Sequence, residues 1–336
     1  MVYINTLLSF ALILLFKRQL RARAPSAFPR LVELHNSKRG CLNFLLSPPF
    51  VQKRKSVTKP MILEQKQFNI RQIAESGQCF RMDPVSEARY AVVAFGRYLE
   101  IEQLQQEKLR LSCGETEFQT LWKSFFDLEF DYGPIVERLS NGSDEFLREA
   151  VSYGSGLRIL RQDPFEALIS FLISQNKNIP AIKRSIQQLC QQYGEMFEGA
   201  GLSGGKATFF SFPTPEALAE ADPKDIRRAG VGYRDAYIIK TSQLIADGMI
   251  DLEALKRLPG PEAIACLKEL PGVGDKVANC VSLFGLHHLD GCPVDVWIAR
   301  TVDEVYGGRF DWAQHEGFCG IVQQYMFYYI RSKYGK

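Results

Sequence analysis

A chain of 336 residues, 46% hydrophobic and 24% charged, is long enough for two packed parts with a sizeable core, and its composition is that of an ordinary globular protein. The formal charge of +3 conceals an asymmetry: residues 1–60 hold eleven lysines and arginines against one acid, Glu33, whereas residues 61–336 hold 30 basic and 37 acidic side chains. That balance excludes a footprint of bulk positive charge over the body, so any polyanion must be held by local cations and backbone amides.

The first 60 residues open with an apolar run, Ile4 to Phe16, followed at once by Lys17, Arg18, Arg21 and Arg23. The run is short of the about 20 residues that span a bilayer, and its charge lies on the wrong side for a secretory signal. It is not a reliable membrane anchor. With Pro25, Pro29, Pro48 and Pro49, scattered basic residues and no sustained period, residues 1–60 read as a disordered or non-native leader. A weak anchor or a basic DNA-contacting tail are the alternatives. The eight cysteines are scattered without a Cys-x-x-Cys pair, as expected of reduced thiols in a cytosolic protein, and they lack the spacing of a zinc or iron–sulfur site.

From Phe68 to Cys113 the pattern is strand-like. Gln67 to Ile73 alternates loosely, Tyr90 to Ile101 is rich in β-branched and aromatic residues, and Lys108 to Cys113 alternates with period 2; Gly77 and Asp83-Pro84 punctuate these runs as turns. A small antiparallel sheet of four or five strands is expected. From Glu115 the period becomes helical: Phe118 to Phe126, a long stretch Asp163 to Tyr193 interrupted by Pro180, Asp222 to Asp247 around a glycine break, Pro261 to Leu289, Val296 to Tyr306 and Trp312 to Lys333. The fold class is α+β, with a leader at 1–60, a β part with the first helices at 61–150, and a helical region at 151–336. Gly201-Leu-Ser-Gly-Gly-Lys-Ala-Thr lacks both the leading glycine and the trailing Ser/Thr of a phosphate-binding loop and reads as a flexible surface loop.

The most informative stretch joins two short amphipathic helices through Leu270-Pro-Gly-Val-Gly. Pro271 stops the first helix, and Gly272 and Gly274 allow positive φ, so the turn can direct its N–H groups outward at the positive end of the second helix. This supplies a phosphate site that needs no net positive charge. Lys276 sits in the first turn of that second helix, where the helix dipole opposes a cation. The position is poor for a structural lysine and useful for a nucleophile, because the free amine is the attacking species. Asp295, in Cys292-Pro-Val-Asp-Val, is an N-cap for the helix that begins at Val296, and the same carboxylate could stabilise positive charge at a sugar C1′ or take a proton from Lys276.

The Leu270-Pro-Gly-Val-Gly-Asp-Lys segment followed by Pro293-Val-Asp-Val resembles the helix–hairpin–helix/Gly-Pro-Asp signature of base-excision DNA glycosylases, with lysine at 276 similar to the bifunctional branch. Segments at 76–81, 161–179, 232–234 and 320–327 are similar, in order, to those of 8-oxoguanine DNA glycosylases. That resemblance implies catalytic roles for Lys276 and Asp295. It implies base recognition by the Gly77 carbonyl, Gln323 on the Watson–Crick edge, and Cys280 and Phe327 on the two faces. Asn176 would fill the vacated stack, Tyr233 would wedge it, and Arg234 would contact the orphaned base, while Gly272 and Gly274 grip the backbone. The implied activity is excision of an oxidised purine from double-stranded DNA by base flipping, a lysine Schiff base and β-elimination. It requires no metal or organic cofactor and no obligatory protein partner, and it implies a monomer working in the cytoplasm or nucleoid, or in a nucleus. Ala181 stands where eukaryotic members have a second arginine, and Trp297 where many have a histidine. A monofunctional alkylated-base glycosylase and a non-catalytic DNA-binding hairpin are the rival expectations.

Overall fold

The computed structural model describes residues 59–334. The expectations for the N-terminal leader and its apolar run lie outside that range. Five strands form one antiparallel sheet: β1 (Met61–Glu64), β2 (Met82–Ser86), β3 (Arg89–Ala94), β4 (Arg97–Gln105) and β5 (Lys108–Leu111), in the order β1-β5-β4-β3-β2. Alternation sets the buried face. Tyr90, Val92 and Ala94 of β3 and Leu109 and Leu111 of β5 point inward onto Phe68, Ile70, Ile73, Trp122, Phe125 and Phe126, which together make the first of two apolar cores. Pro84 lies within β2 rather than in a turn, which is tolerated because β2 is an edge strand and can forgo a ladder donor.

The loose alternation of Gln67 to Ile73 is not a strand. Asn69 accepts the Gln72 amide at 3.1 Å and caps helix α1 (Ile70–Glu75), which buries Ile70, Ile73 and Ala74 at helical spacing. A second departure concerns the segment expected to be a flexible surface loop: residues 201–205 are a connecting turn, but residues 206–208 are strand. The segment belongs to a hairpin of β6 (Met196–Ala200) and β7 (Lys206–Phe210), paired in register from Met196↔Phe210 to Ala200↔Lys206. The hairpin rests on β4: Tyr98 stacks on Phe209, and the Leu202 amide donates to Glu100. A side chain at Gly199 would begin 2.6 Å from Tyr98, so this close approach requires glycine.

Helices fill the remainder: α2 (Gly133–Ser140), α3 (Glu145–Tyr153), α4 (Pro164–Ser174), α5 (Ile179–Tyr193), α6 (Asp235–Ala246), α7 (Gly260–Lys268), α8 (Asp275–Phe284), α9 (Val296–Tyr306) and α10 (Cys319–Tyr334). They share the second core, with α4 buried on nearly every side. No helix among the described residues is long and apolar enough to cross a membrane.

A buried polar seam ties the sheet-bearing part to the helices. The Asp127 carboxylate has no exposed surface; it accepts from Tyr132 Oη at 2.9 Å and from Arg161 Nε at 2.7 Å. His287, just beyond α8, places Nε2 3.2 Å from Oδ2, the oxygen that also accepts from Tyr132, close enough for an ion pair though off the line of a hydrogen bond. Burial pushes the Asp127 carboxyl upward, but His287 and Arg161 outweigh it and hold the group below the usual carboxylate range. A depressed folded-state pKa gives stability that is present above the unfolded value of about 4 and lost as pH falls through the folded value. Asp127→Asn should therefore lower stability by about 3 kcal/mol at neutral pH and flatten the loss of stability below pH ~4. Denaturant titrations at several pH values check both.

Candidate active site

The hairpin between α7 and α8 is built as the turn chemistry demands. The Val273 amide donates to the Leu270 carbonyl at 3.1 Å, closing a tight turn whose flanking residues Leu270 and Val273 are buried. Gly272 has φ +77°, and a side chain there would begin 2.4 Å from the Tyr237 ring, so both conformation and space require glycine. Gly274 departs from the expectation of positive φ. It is the extended N-cap of α8 at φ −94°. Its role is to leave the helix start bare: no side chain caps α8, so the first-turn amides of residues 275–277 face outward without an intrahelical partner.

In the first turn of that helix, Lys276 reaches back toward α4. Its Nζ lies 3.3 Å from Ser174 Oγ and 5.1 Å from the centre of the Phe171 ring. Neither contact was evident in the sequence, because α4 is apolar over most of its length and no amphipathic stripe singles out Phe171 or Ser174. Cys280, one turn further along α8, is buried beside Lys276. Burial, reinforced by Asp295 and opposed by Lys276, pushes its thiol up to about 11, so it faces the cavity as a neutral group at pH 7. Asp295 caps α9 as expected: Oδ1 accepts the amides of Trp297 and Ile298, each at 3.0 Å. This pins the carboxylate and leaves Oδ2 for other work.

Lys276, Cys280 and Asp295 line one cavity together with Gly77, Gln323 and Phe327, so the sheet-bearing part supplies one wall and the helices the others. The Gly77 stretch, expected to punctuate the strand-like runs, is an irregular segment between α1 and β2. Two glutamines hold it. Gln78, fully buried, donates to the Arg158 carbonyl and accepts the Leu160 amide, and Gln324 of α10 donates to the Ser76 carbonyl at 2.8 Å. Gly77 itself has φ +78°, and a side chain there would begin 3.1 Å from the Phe327 ring. Gln323 is 3% exposed, and its Oε1 is buried with no hydrogen-bond partner. A bare buried acceptor costs about 1–3 kcal/mol and is tolerated where a ligand donor can arrive. The cavity measures about 50 Å³, room for a few waters but not a purine, with the Phe327 ring lying against Gly77.

Beside the cavity, two chain tips meet. Asn176, exposed, adopts left-handed φ +49° in the α4–α5 link, and Tyr233 is 59% exposed just before α6. Arg234 joins them. Its guanidinium donates to the carbonyls of Gln175 and Val231 and stacks 4.5 Å from the Tyr233 ring, leaving it only 6% exposed. Gln175 in turn donates to the Gly272 carbonyl at 3.2 Å, linking this wedge to the hairpin. The structure thus gives Arg234 a scaffolding duty that its sequence position did not announce. Ala181 sits in the first turn of α5, its amide donated to the Asn178 cap at 3.0 Å, and presents no cation there.

Residues 61–168 match the family described as the N-terminal domain of 8-oxoguanine DNA glycosylase, and residues 169–314 match the HhH-GPD superfamily of base excision DNA repair proteins. The "Probable N-glycosylase/DNA lyase" of Methanothermobacter thermautotrophicus is 33% identical over 235 residues, covering 61% of this chain and 72% of that protein. The N-glycosylase/DNA lyase of Saccharomyces cerevisiae is 28% identical over 73% of this chain and 70% of its own length. Among solved structures, the 8-oxoguanine glycosylase/lyase of Clostridium acetobutylicum, in complex with double-stranded DNA containing cytosine opposite 8-oxoguanine, superposes with a TM-score of 0.74. It is 33% identical and is matched over 81% of this chain and 98% of that one. With both halves matched and the relatives spanned over most of their length, this chain belongs to the 8-oxoguanine DNA glycosylase family of the HhH-GPD base-excision repair superfamily.

Proposed function

We propose that the protein excises 8-oxoguanine from duplex DNA and then nicks the abasic strand. The observation that carries this reading is one cavity lined at once by Lys276, Asp295 and the buried, unpartnered amide oxygen of Gln323. The bare amides of α8 take a backbone phosphate near the lesion. Asn176 and Tyr233 fill the stack as the damaged nucleotide turns out, at a cost of a few kcal/mol. Phe327 swings from Gly77 to admit the base, which then lies between Phe327 and Cys280. Gln323 Oε1 accepts from the purine's Watson–Crick donors, and the Gly77 carbonyl accepts the N7–H that the oxidised base carries and guanine lacks.

Lys276 Nζ then attacks C1′ while the bond from C1′ to the base breaks, the electron pair leaving with the base, which takes up a proton. Asp295 Oδ2 stabilises the positive charge that grows on the sugar and accepts a proton from the amine. Loss of the ring oxygen as a hydroxyl gives an imine. Removal of a C2′ proton expels the 3′ phosphate and cuts the strand. Every residue invoked comes from one chain, so a monomer suffices, acting wherever the cell keeps its DNA.

Purified protein on duplexes carrying 8-oxoguanine opposite each of the four bases tests this directly, with base release and strand scission scored separately. Both products are expected, whichever base lies opposite, with a weaker preference for cytosine than a two-arginine reader would show, because Ala181 offers no guanidinium. Base release without a nick would instead mark a monofunctional glycosylase, and neither product would leave only a DNA-binding hairpin.

A further inference from the structure

The segment that carries Asp295 and the start of α10, which carries Gln323 and Phe327, run side by side. The Gly320 amide donates to the Leu289 carbonyl at 2.8 Å, and the Gly317 amide donates to Asp290 Oδ1 at 2.5 Å. The approach is so close that a side chain at Gly320 would begin 2.4 Å from the Gly291 carbonyl oxygen. On this seam lie two cysteines that catalysis does not use. Cys292 is half-buried, its amide held by Asn279 Oδ1 at 3.1 Å, and Cys319 sits at the first residue of α10, its thiol 3.0 Å from the Asp290 carbonyl. Cys319 Sγ thus lies against the residues that lead directly into Cys292, with the next residue, Gly320, packed on Gly291, and each thiol perturbs the other's proton affinity.

We propose that Cys292 and Cys319 are a disulfide-forming pair that a hydroperoxide closes, stapling the Asp295 segment to the helix that carries the base-reading side chains. All seven described cysteines are free thiols, so the structure shows the reduced state. The effect of Cys292 is to lower the Cys319 thiol, with burial and Asp290 opposing, which makes Cys319 the first to give up its proton. The Cys319 thiolate attacks the peroxide, the O–O bond breaks, and Cys319 becomes a sulfenic acid while hydroxide (or alkoxide) departs. The Cys292 sulfur then displaces water from it, forming the S–S bond. One peroxide takes two electrons; the Cys319 proton ends on the departing hydroxide or alkoxide, giving water or an alcohol, and the Cys292 proton leaves in the water displaced. The staple spans 27 positions of the chain, a loop long enough to restrict the unfolded state appreciably. It reinforces a seam that backbone hydrogen bonds already hold, so the cavity keeps its shape. The reagents that oxidise guanine would thereby harden this protein rather than disable it.

The test treats the reduced full-length protein with hydrogen peroxide, blocks remaining thiols by alkylation, and maps peptides without reductant. The expected result is a Cys292–Cys319 cross-linked peptide two hydrogens lighter than its parts, with a melting temperature raised by about 3 °C or more. Both changes should vanish in Cys292→Ser and in Cys319→Ser. The proposal is overturned if both thiols remain alkylatable, if Cys319 proceeds to sulfinic acid while Cys292 stays free, or if the cross-linked protein melts lower than the reduced one. Because the readouts are a peptide mass and a melting curve, the outcome does not depend on whether the protein is a glycosylase.

Discussion

Lys276→Gln is expected to abolish strand nicking and to slow 8-oxoguanine release by at least about 10³-fold, because no amine is left to attack C1′. Glutamine keeps most of the side-chain length and remains able to approach Ser174, whose hydroxyl lies 3.3 Å from the native amine. Folding and lesion binding should therefore survive, with affinity for an 8-oxoguanine duplex changed only a few-fold. That combination separates the nucleophile from a merely structural lysine: a structural role moves the melting temperature and affinity and leaves the chemistry in proportion to the bound fraction. Single-turnover base release, alkali-independent nicking and a binding isotherm on the same preparation check all three.

The second large effect concerns Asp295, whose observed capping duty and proposed catalytic duty a pair of substitutions pulls apart. Its Oδ1 caps α9 through the amides of Trp297 and Ile298. Asparagine caps as well as aspartate, so Asp295→Asn should melt close to the native protein while base release falls about 10²–10³-fold, the loss expected when charge aimed at a developing cation is removed. Asp295→Ala loses the cap as well, at about 1 kcal/mol, and should melt lower by a few degrees at similar activity. Equal melting temperatures with equal activities across the native protein and both variants would reduce Asp295 to an interchangeable residue.

What could be read in advance was local. Leu270-Pro-Gly-Val-Gly specifies its turn through neighbours, and Asp295 caps the helix it precedes, so both were legible without tertiary information. Gly274 was misread in conformation, because a glycine at a bare N-cap and a glycine at positive φ look alike in a sequence. The start of the β part was misread because a capping asparagine outweighs a weak alternation: Asn69 turns Ile70 to Glu75 into a helix. The β6–β7 hairpin was missed for a different reason. Gly199 and Gly201 weaken its strand pattern, and the pairing is secured by Tyr98 and Glu100 about 100 residues away. The same distance effect hid Phe171 and Ser174 beside Lys276, and the tether of Arg234 to the Gln175 carbonyl, since each pair is joined only by the fold.

The cavity brings the proposed recognition and reaction groups together. Gln323 and Phe327 lie on α10, Lys276 and Cys280 on α8, and Gly77 on a segment pinned by Gln78 and Gln324. On the proposed reading, a base that failed to displace Phe327 or to satisfy Gln323 would leave its sugar short of the amine, so discrimination and positioning would draw on the same contacts.

The central claim is that one particular amine forms the covalent intermediate, and trapping it is the most direct measurement. The protein is incubated with an 8-oxoguanine duplex in borohydride, and the reduced complex is digested and sequenced by mass spectrometry. A single modified site at Lys276, absent with an undamaged duplex, is the expected result. An adduct on any other amine, or one that forms undiminished in Lys276→Gln, contradicts it.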